Sequence, residues 1–257
     1  MNQDTARIIF KVTTQQLRQL KERIMMQDPA AVPIENLLPS SHDCLVAFII
    51  TVLNRHLNTP ITRVANAASV RTVSIVSGVV EDGIAGNAIY IIPTSIAAED
   101  IHDLKRIAYA LRRSILSWRE RSKVEEYMSV ASHFMQLATN QGHSMFFAAP
   151  PGHMSVNSNA GSVVMTAGVR LGLALTNIIR IDWHSAHFGL PNKIKFHTSG
   201  INDRYVRVFS SNPTTSGEEE PSPSLDVSFA MASSIQEEVY NDIMSVLQAQ
   251  NFPDNIL

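Results

Sequence analysis

Apolar residues recur at helical spacing near the start of the chain. Leu17, Leu20 and Ile24 lie three and four positions apart, which predicts an amphipathic helix over residues 13–26 with Thr13 as its N-cap. The Asp-Pro pair at positions 28 and 29 favours a helix end there.

A second helix is predicted over residues 42–56, with Ser40 or Ser41 as its cap. Apolar side chains lie on nearly every side of this segment. A helix that is apolar all round is a buried one, so we expect it at the centre of the fold.

Three further helices follow from the pattern. A long amphipathic helix is predicted over 97–119 and another over 123–138. The last is predicted over 233–249, with Ser233 as a favourable N-cap and acidic residues in its first turns.

Segments rich in Val, Ile and Thr predict the strands. The first two are 61–77 and 84–92, and Pro93 is expected to end the second. After residue 142, short runs with β character are found at 145–148, 162–166, 173–183, 193–197, 205–209 and 225–231. The polar segments 152–161 and 211–224 are expected to be loops, the former a possible lid over a pocket.

Helices followed by successive strands indicate an α+β fold, a mixed sheet with helices packed on one face, in a single domain over residues 1–257.

The charge of the chain bears on its binding partners. A net charge of −2, with Lys and Arg dispersed along the chain, argues against nucleic acid as a partner. No segment is apolar enough to predict membrane insertion, and a single cysteine, Cys44, fits a cytoplasmic location.

Several short motifs occur in a particular order. Ser40 to Phe48 resembles S-T-N-D-x-L-x-A-F, residues 69–71 resemble D-x-R, and residues 86–88 are Gly-Asn-Ala. Asp182-Trp183 and the segment 187–191 (His-Phe-Gly-Leu-Pro) stand where S-W and D-F-G-W-G would follow. Together these resemble the C-terminal domain of the BAHD family of acyl-CoA-dependent acyltransferases, and most closely its fungal, trichothecene-acetyltransferase-like branch.

The resemblance implies a chloramphenicol-acetyltransferase-like α+β domain that forms one side of a channel between two domains. Acyl-CoA, a co-substrate rather than a bound cofactor, would enter from one side and the acceptor from the other. In the family, a histidine of an H-x-x-x-D motif in the N-terminal domain removes the acceptor's proton. None of the nine histidines here has aspartate four residues later. We therefore expect the catalytic half to be absent from this chain.

A second departure concerns Arg71 and His187. The resemblance implies that the arginine of D-x-R pairs with the aspartate of D-F-G-W-G and holds the channel in shape. Here the arginine is kept, as Arg71, but the aspartate position is His187 and the first position of D-x-R is Ser69. A neutral imidazole can accept a hydrogen bond from a guanidinium, but the charge-assisted pair is lost.

The segment that the resemblance places beside the acceptor channel supplies the candidate catalytic residues, Asp182, His184 and His187. A buried Asp182 would have a raised pKa and could act as an acid or a base. Ordinary hydrogen-bonded residues are the alternative. A metal site is not expected, because histidines three apart suit a helix and this segment leaves a strand. The candidate substrate-binding residues are Ser41, Arg71, Asn87 and Trp183.

Three hypotheses follow. The first is half of an acyl-CoA:alcohol or amine acyltransferase of fungal secondary metabolism, acting on a small hydrophobic natural product. It would be completed by a partner chain or a second copy across its exposed interdomain face. The second is a small enzyme that isomerises or cyclises such a compound without CoA. The third is a non-catalytic or truncated module.

Overall fold

The computed structural model describes residues 4–26, 37–70, 89–142, 152–158, 205–211 and 224–249. These ranges contain five α-helices and six strands. The helices are α1 (Thr14–Met26), α2 (Ser41–His56), α3 (Leu104–Ser117), α4 (Arg121–Asn140) and α5 (Ser233–Gln248). The strands are β1 (Thr5–Thr13), β2 (Arg63–Ser69), β3 (Ile89–Ser95), β4 (His153–Ser158), β5 (Tyr205–Ser210) and β6 (Ser224–Ala232).

All six strands belong to one mixed sheet in the order β1-β6-β5-β4-β2-β3. The β2–β4 and β4–β5 pairs are parallel, and the β1–β6, β5–β6 and β2–β3 pairs are antiparallel. Alternate residues of the strands, such as Ile8, Phe10 and Val12 of β1, belong to the same core as helices α1, α2, α3 and α5. The predicted fold class, a mixed sheet with helices on one face, is confirmed.

Helix α2 lies at the centre of this core. Thirteen of its sixteen residues are buried, and it packs against α1, α3 and α5. This confirms the prediction drawn from its apolar character on all sides. A second, smaller core lies beneath the end of α3 and the start of α4, where the ring of Tyr90 meets that of Tyr127 edge-on.

Helix α1 also agrees with the prediction. Leu17, Leu20 and Ile24 are buried. Thr13 and Gln16 cap it reciprocally: the Thr13 Oγ1 accepts from the Gln16 N–H at 3.2 Å, and the Gln16 Oε1 accepts from the Thr13 N–H at 2.8 Å.

The polar segment predicted as a loop over 152–161 is wrong in part. Residues His153–Ser158 form β4, a strand in the middle of the sheet, and Met154 is fully buried. Gly152 precedes it with a φ of 77°, and its carbonyl accepts hydrogen bonds from Thr62 and Arg63 at 2.9 and 3.1 Å. Glycine adopts this conformation without strain, so it sets the entry of β4 beside β2.

Four other boundaries differ from the sequence prediction. Strand β3 includes Pro93, which was expected to end it. The strand lies at the edge of the sheet and Pro93 is exposed, so a missing N–H is tolerated there. The start of the chain, for which no element is predicted above, forms the edge strand β1.

The helix predicted over 97–119 is divided. A short 3₁₀ turn, Ala98–Asp100, comes first, and α3 begins only at Leu104. Asp103 separates the two, because its carboxylate accepts from the Arg106 N–H at 2.9 Å and so caps a new helix.

The cap predicted for α5 is also wrong. Ala232 is the N-cap, and Ser233 is already helical. The Ser233 N–H donates to the Asp4 carbonyl at 2.7 Å, so the backbone at this point continues the pairing of β6 with β1. Of the remaining predicted strands, 205–209 and 225–231 are confirmed as β5 and β6. Those at 145–148, 162–166, 173–183 and 193–197 lie outside the described residues.

Candidate functional site at one end of the sheet

The parallel strands β2, β4 and β5 all finish at the same end of the sheet, at Ser69, Ser158 and Ser210. We call this the carboxyl end. Strand β1 also finishes there and β6 begins there, because Thr13 pairs with Ser224. Loops at the carboxyl ends of neighbouring parallel strands converge, which is why such ends commonly form binding sites.

Helices α1 and α5 meet at this end as well. The side-chain nitrogen of Gln16, in the first turn of α1, donates to the carbonyl of Leu247 near the end of α5 at 2.7 Å. The start of one helix and the finish of the other are therefore fixed beside the last residue of β1.

We also place the start of α2 toward the carboxyl end of the sheet. Near its other end, Asn54 bonds to Ile61, two residues before β2 begins. Ser41 lies about 20 Å from Asn54 at 1.5 Å per residue. Because most of α2 is buried in the core that the sheet shares with the neighbouring helices, we infer that it runs back over the sheet, with Ser41 toward the carboxyl end.

A capping box forms the first turn of α2. The Ser40 hydroxyl accepts from the Asp43 N–H at 3.2 Å and donates to the Asp43 carboxylate at 2.8 Å. That carboxylate also accepts from the Ser40 N–H at 2.7 Å. The capping role inferred for this motif is therefore confirmed, with Ser40 as the cap and Ser41 as the first helical residue.

Two ionisable side chains follow, and both are uncharged at neutral pH. His42 is 1% exposed, and within the described part of the chain neither ring nitrogen has a hydrogen-bond partner. Burial lowers the pKa of His42, against a smaller opposing effect of the Asp43 carboxylate. Burial, reinforced by Asp43, raises the pKa of the Cys44 thiol to about 12. Both side chains are enclosed by the core and do not reach a substrate, and the Cys44 thiol is not in its nucleophilic thiolate form.

A histidine–aspartate pair does occur, but away from the start of α2. The Nε2 of His56, the last residue of that helix, lies 3.2 Å from the Asp242 carboxylate, and its Nδ1 lies 3.7 Å from the Glu238 carboxylate. Arg55 is 3.6 Å from Asp242. Since carboxylates flank both ring nitrogens, this cluster ties α2 to α5 rather than leaving a nitrogen for substrate.

The face of the sheet opposite the helices carries small residues in its middle strands, namely Ala67, Ser228 and Ala230, all nearly fully buried. On β5 the guanidinium of Arg207 lies 4.4 Å from the centre of the Tyr205 ring. Burial lowers the pKa of Arg207, with Tyr205 opposing this.

Of the seven candidate site residues, only Ser41 is described. It lies half-buried at the start of α2. Asp182, His184, His187, Trp183, Arg71 and Asn87 lie outside the described residues, and their roles stay predictions. Val70, which precedes Arg71, is buried at the carboxyl end beside the smaller core. Two of the motifs that carry the family resemblance thus begin or end at the same end of the sheet.

Asn54 was not predicted as a key residue. Its side chain bonds to Ile61 and, at 2.8 Å, to the carbonyl of Ile101. The available signal was a lone amide directly after the mostly apolar run 44–53, since a buried amide has to find partners. Asn66 and Thr94, on the adjacent strands β2 and β3, are also buried and polar.

Neither a metal site nor a membrane span is found in the described ranges. They hold no cluster of three or more His, Cys, Asp or Glu residues suited to a metal ion. Within the same ranges, no helix combines the length and apolar character that crossing a bilayer requires.

Comparison by sequence finds no matching protein-family model and no similar curated protein. Comparison of structures finds TRI101 of F. sporotrichioides, in complex with coenzyme A and T-2. The TM-score is 0.59 and the identity 16%, over 94% of this chain and 51% of that one. TRI101 of F. graminearum, with coenzyme A and deoxynivalenol, gives 0.57 and 13%, over 95% and 48%.

Vinorine synthase matches with a TM-score of 0.53 and 12% identity, over 95% of this chain and 48% of that chain. The chain thus spans about half the length of these structures. At this level of identity the likeness establishes the fold and not the activity. The chain has the α+β fold of the BAHD-type acyltransferases, the family that its motifs resemble.

Proposed function

We propose that this chain is one half of an acyl-CoA-dependent acyltransferase, the half that corresponds to the family's C-terminal domain. The match of nearly the whole chain to about half of TRI101 is the observation that carries the proposal. The order of the motifs from Ser40 to residue 191 supports it independently.

The reaction transfers an acyl group from a thioester to a hydroxyl or amine. A base removes the acceptor's proton as its oxygen or nitrogen attacks the thioester carbonyl. The tetrahedral intermediate then collapses, the carbon–sulfur bond breaks, and the CoA thiolate leaves and takes up a proton. Acyl-CoA is consumed, so it is a co-substrate and not a resident cofactor.

The base has to come from elsewhere than the start of α2. His42 is enclosed by the core and does not reach an acceptor, Cys44 is a protonated thiol, and Asp43 is engaged in the capping box. No histidine of the chain carries the H-x-x-x-D pattern. We infer that the base comes from outside residues 1–257, either from a domain with that motif or, without the motif, from a second copy across the interdomain face.

The candidate residues then have separate roles. Ser41, at the start of α2, would contact substrate at the carboxyl end, beside Arg71 and Asn87. Asp182, His184 and His187 would lie along the acceptor channel, with Trp183 as an apolar wall. His187 in place of aspartate leaves Arg71 without the family's charged partner, so this channel would be less rigid than the family's.

The acceptor we propose is a small hydrophobic natural product of fungal secondary metabolism, handled in the cytoplasm. The TRI101 structures contain T-2 and deoxynivalenol together with coenzyme A, which supports this class of acceptor. These ligands were found in the TRI101 structures and not in this chain. They indicate which acceptors to test first.

The test measures CoA release and acceptor mass from acetyl-CoA and a panel of trichothecene-like alcohols. The chain is assayed alone and co-expressed with any adjacent reading frame that encodes H-x-x-x-D. Transfer that needs the second polypeptide, and is lost when its motif histidine becomes alanine, supports the proposal. Conversion of an acceptor without CoA, abolished by Asp182→Ala/His187→Ala, would favour the isomerase or cyclase hypothesis instead.

A further inference from the structure

Helix α2 carries a histidine in its first turn and another at its last residue, and the surroundings of the two rings are opposite. His42, in the first turn, is 1% exposed, and among the described residues neither of its ring nitrogens has a hydrogen-bond partner. His56, the last residue, has Nε2 3.2 Å from Asp242 and Nδ1 3.7 Å from Glu238. An added proton on His56 therefore faces two carboxylates, whereas one on His42 has no acceptor.

The direction of the helix strengthens this contrast. The start of a helix carries partial positive charge and opposes a cation, whereas the end of a helix favours one. Burial lowers the pKa of His42, against a smaller opposing effect of the Asp43 carboxylate. That carboxylate already accepts from the N–H and the hydroxyl of Ser40. Protonation is thus opposed at the start of α2 and favoured at its end.

Charged groups on the neighbouring helices do not reverse this. Helices α1, α3 and α5 all pack against α2. Lys21 of α1 and Tyr109 of α3 interact with Cys44, next but one to His42, and a lysine adds positive charge. The end of α5, residues 243–249, contains no titratable side chain. Within the described ranges, Asp43 alone acts on His42 in favour of the proton.

The two ends of α2 are also anchored differently. The Asn54 side chain bonds to the backbone of Ile61 and of Ile101, and Arg55 lies 3.6 Å from Asp242. The capping box at the start joins two residues of the same turn and does not tie them to another element. The first turn can therefore open while the end of the helix stays in place.

We propose that the first turn of α2 is an acid-sensitive switch, which opens when His42 takes up a proton while the last turn stays bound to α5. Below pH 6.5 the opened turn binds a proton that the closed turn does not. The opening equilibrium therefore rises as the pH falls, by at most about tenfold per pH unit. Opening would also displace Ser41 from the candidate site, and only this consequence rests on the proposed function.

Cys44 reports the opening, because it is fully buried in the same turn and is the only cysteine of the chain. Its labelling rate with an aromatic disulfide is measured above and below pH 6.5. Each rate is divided by that of the chain in urea at the same pH, which removes the titration of the thiol itself. We expect this ratio to rise below pH 6.5, by up to about tenfold per pH unit.

Two variants without a titrating side chain, His42→Leu and His42→Asn, should give a ratio that does not change with pH. The second is included because leucine and asparagine disturb the packing in different ways. His133→Gln is the matched control, since position 133 is exposed on α4, and it should keep the rise of the wild type.

Hydrogen exchange read by mass spectrometry separates this opening from unfolding of the whole chain. In acid, after correction for intrinsic exchange rates, amides of residues 42–45 should lose protection and those of 53–57 should keep it. A labelling ratio independent of pH, an undiminished rise in both His42 variants, or equal loss of protection in the two segments would each overturn the proposal. None of these measurements uses transferase activity, so failure of the switch is distinct from failure of the proposed function.

Discussion

The side-chain amide of Asn54 bonds to both backbone polar groups of Ile61. Its Oδ1 accepts from the Ile61 N–H at 2.7 Å, and its Nδ2 lies 3.4 Å from the Ile61 carbonyl. The same nitrogen donates to Ile101 at 2.8 Å. One amide therefore fixes the end of α2 to the segment entering β2 and to the segment before α3, and so orients the helix whose start lies at the candidate site.

Asn54→Ala should destabilise the fold by about 2–4 kcal/mol, because it leaves buried backbone groups of Ile61 and Ile101 without partners. Urea denaturation followed by circular dichroism measures this. Asn140→Ala, at the exposed end of α4, is the control and should change the free energy of unfolding by less than about 0.5 kcal/mol. Equal effects of the two changes would show that the amide does not hold these elements together.

The capping box predicts a contrast between neighbouring serines. Ser40→Ala removes the hydroxyl that accepts from Asp43 and should cost about 1 kcal/mol of stability. Ser41→Ala leaves the box intact, so its thermal midpoint should match that of the wild type. If Ser41 contacts substrate, this variant should instead raise the KM for acetyl-CoA or the acceptor. A loss of stability in Ser41→Ala as large as that in Ser40→Ala would contradict the assignment.

Buried His42 predicts a pH dependence of stability with a definite sign. Its pKa in the folded chain is lowered from 6.5, so below pH 6.5 the unfolded chain binds a proton that the folded chain does not. Stability should therefore fall as the pH falls through this window, by at most about 1.4 kcal/mol per pH unit. Above pH 6.5 this contribution is constant.

His42→Leu removes the titrating group and should flatten that part of the profile, measured as the free energy of unfolding in urea at a series of pH values. His133→Gln, at an exposed position of α4, should keep the slope of the wild type. An unchanged slope in His42→Leu would mean that another group is responsible.

Cys44 should be inert in the folded chain. The thiol is buried and its pKa is raised to about 12, so almost no thiolate is present at neutral pH. Titration with a chromogenic disulfide should detect no thiol under native conditions and one per chain in denaturant. Rapid labelling of the native chain would show that the region between α2 and its neighbours opens readily.

How far the sequence predicts the fold depends on the length of each pattern. The helical stripes of α1 and α3 and the apolar α2 extend over several turns, so their existence and buried faces were predictable. Strand β4 offers only Met154 and Val156 as alternating apolar residues, among Ser and Asn that favour turns. Its place in the middle of the sheet comes from pairing with β2 and β5, which a local pattern does not show.

Strand β1 is the opposite case, because its sequence pattern was visible but no strand was predicted from it. Ile8, Phe10 and Val12 are spaced two apart and are all buried, a signal that was present in the sequence although the exposed Ile9 interrupts the alternation of apolar and polar residues. At the candidate site, the sequence predicted a cap at Ser40 or Ser41, and the structure assigns it to Ser40. The neutral state of His42 could not be predicted, because it depends on burial by elements distant in the chain.

Acyl transfer from acetyl-CoA to an alcohol acceptor, followed by mass spectrometry of the product, tests the central claim most directly. The account predicts acylated product, and release of CoA, only when a polypeptide with an intact H-x-x-x-D histidine or a second copy completes the site. Absence of product from every such combination, together with no saturable binding of CoA to the chain, would contradict it.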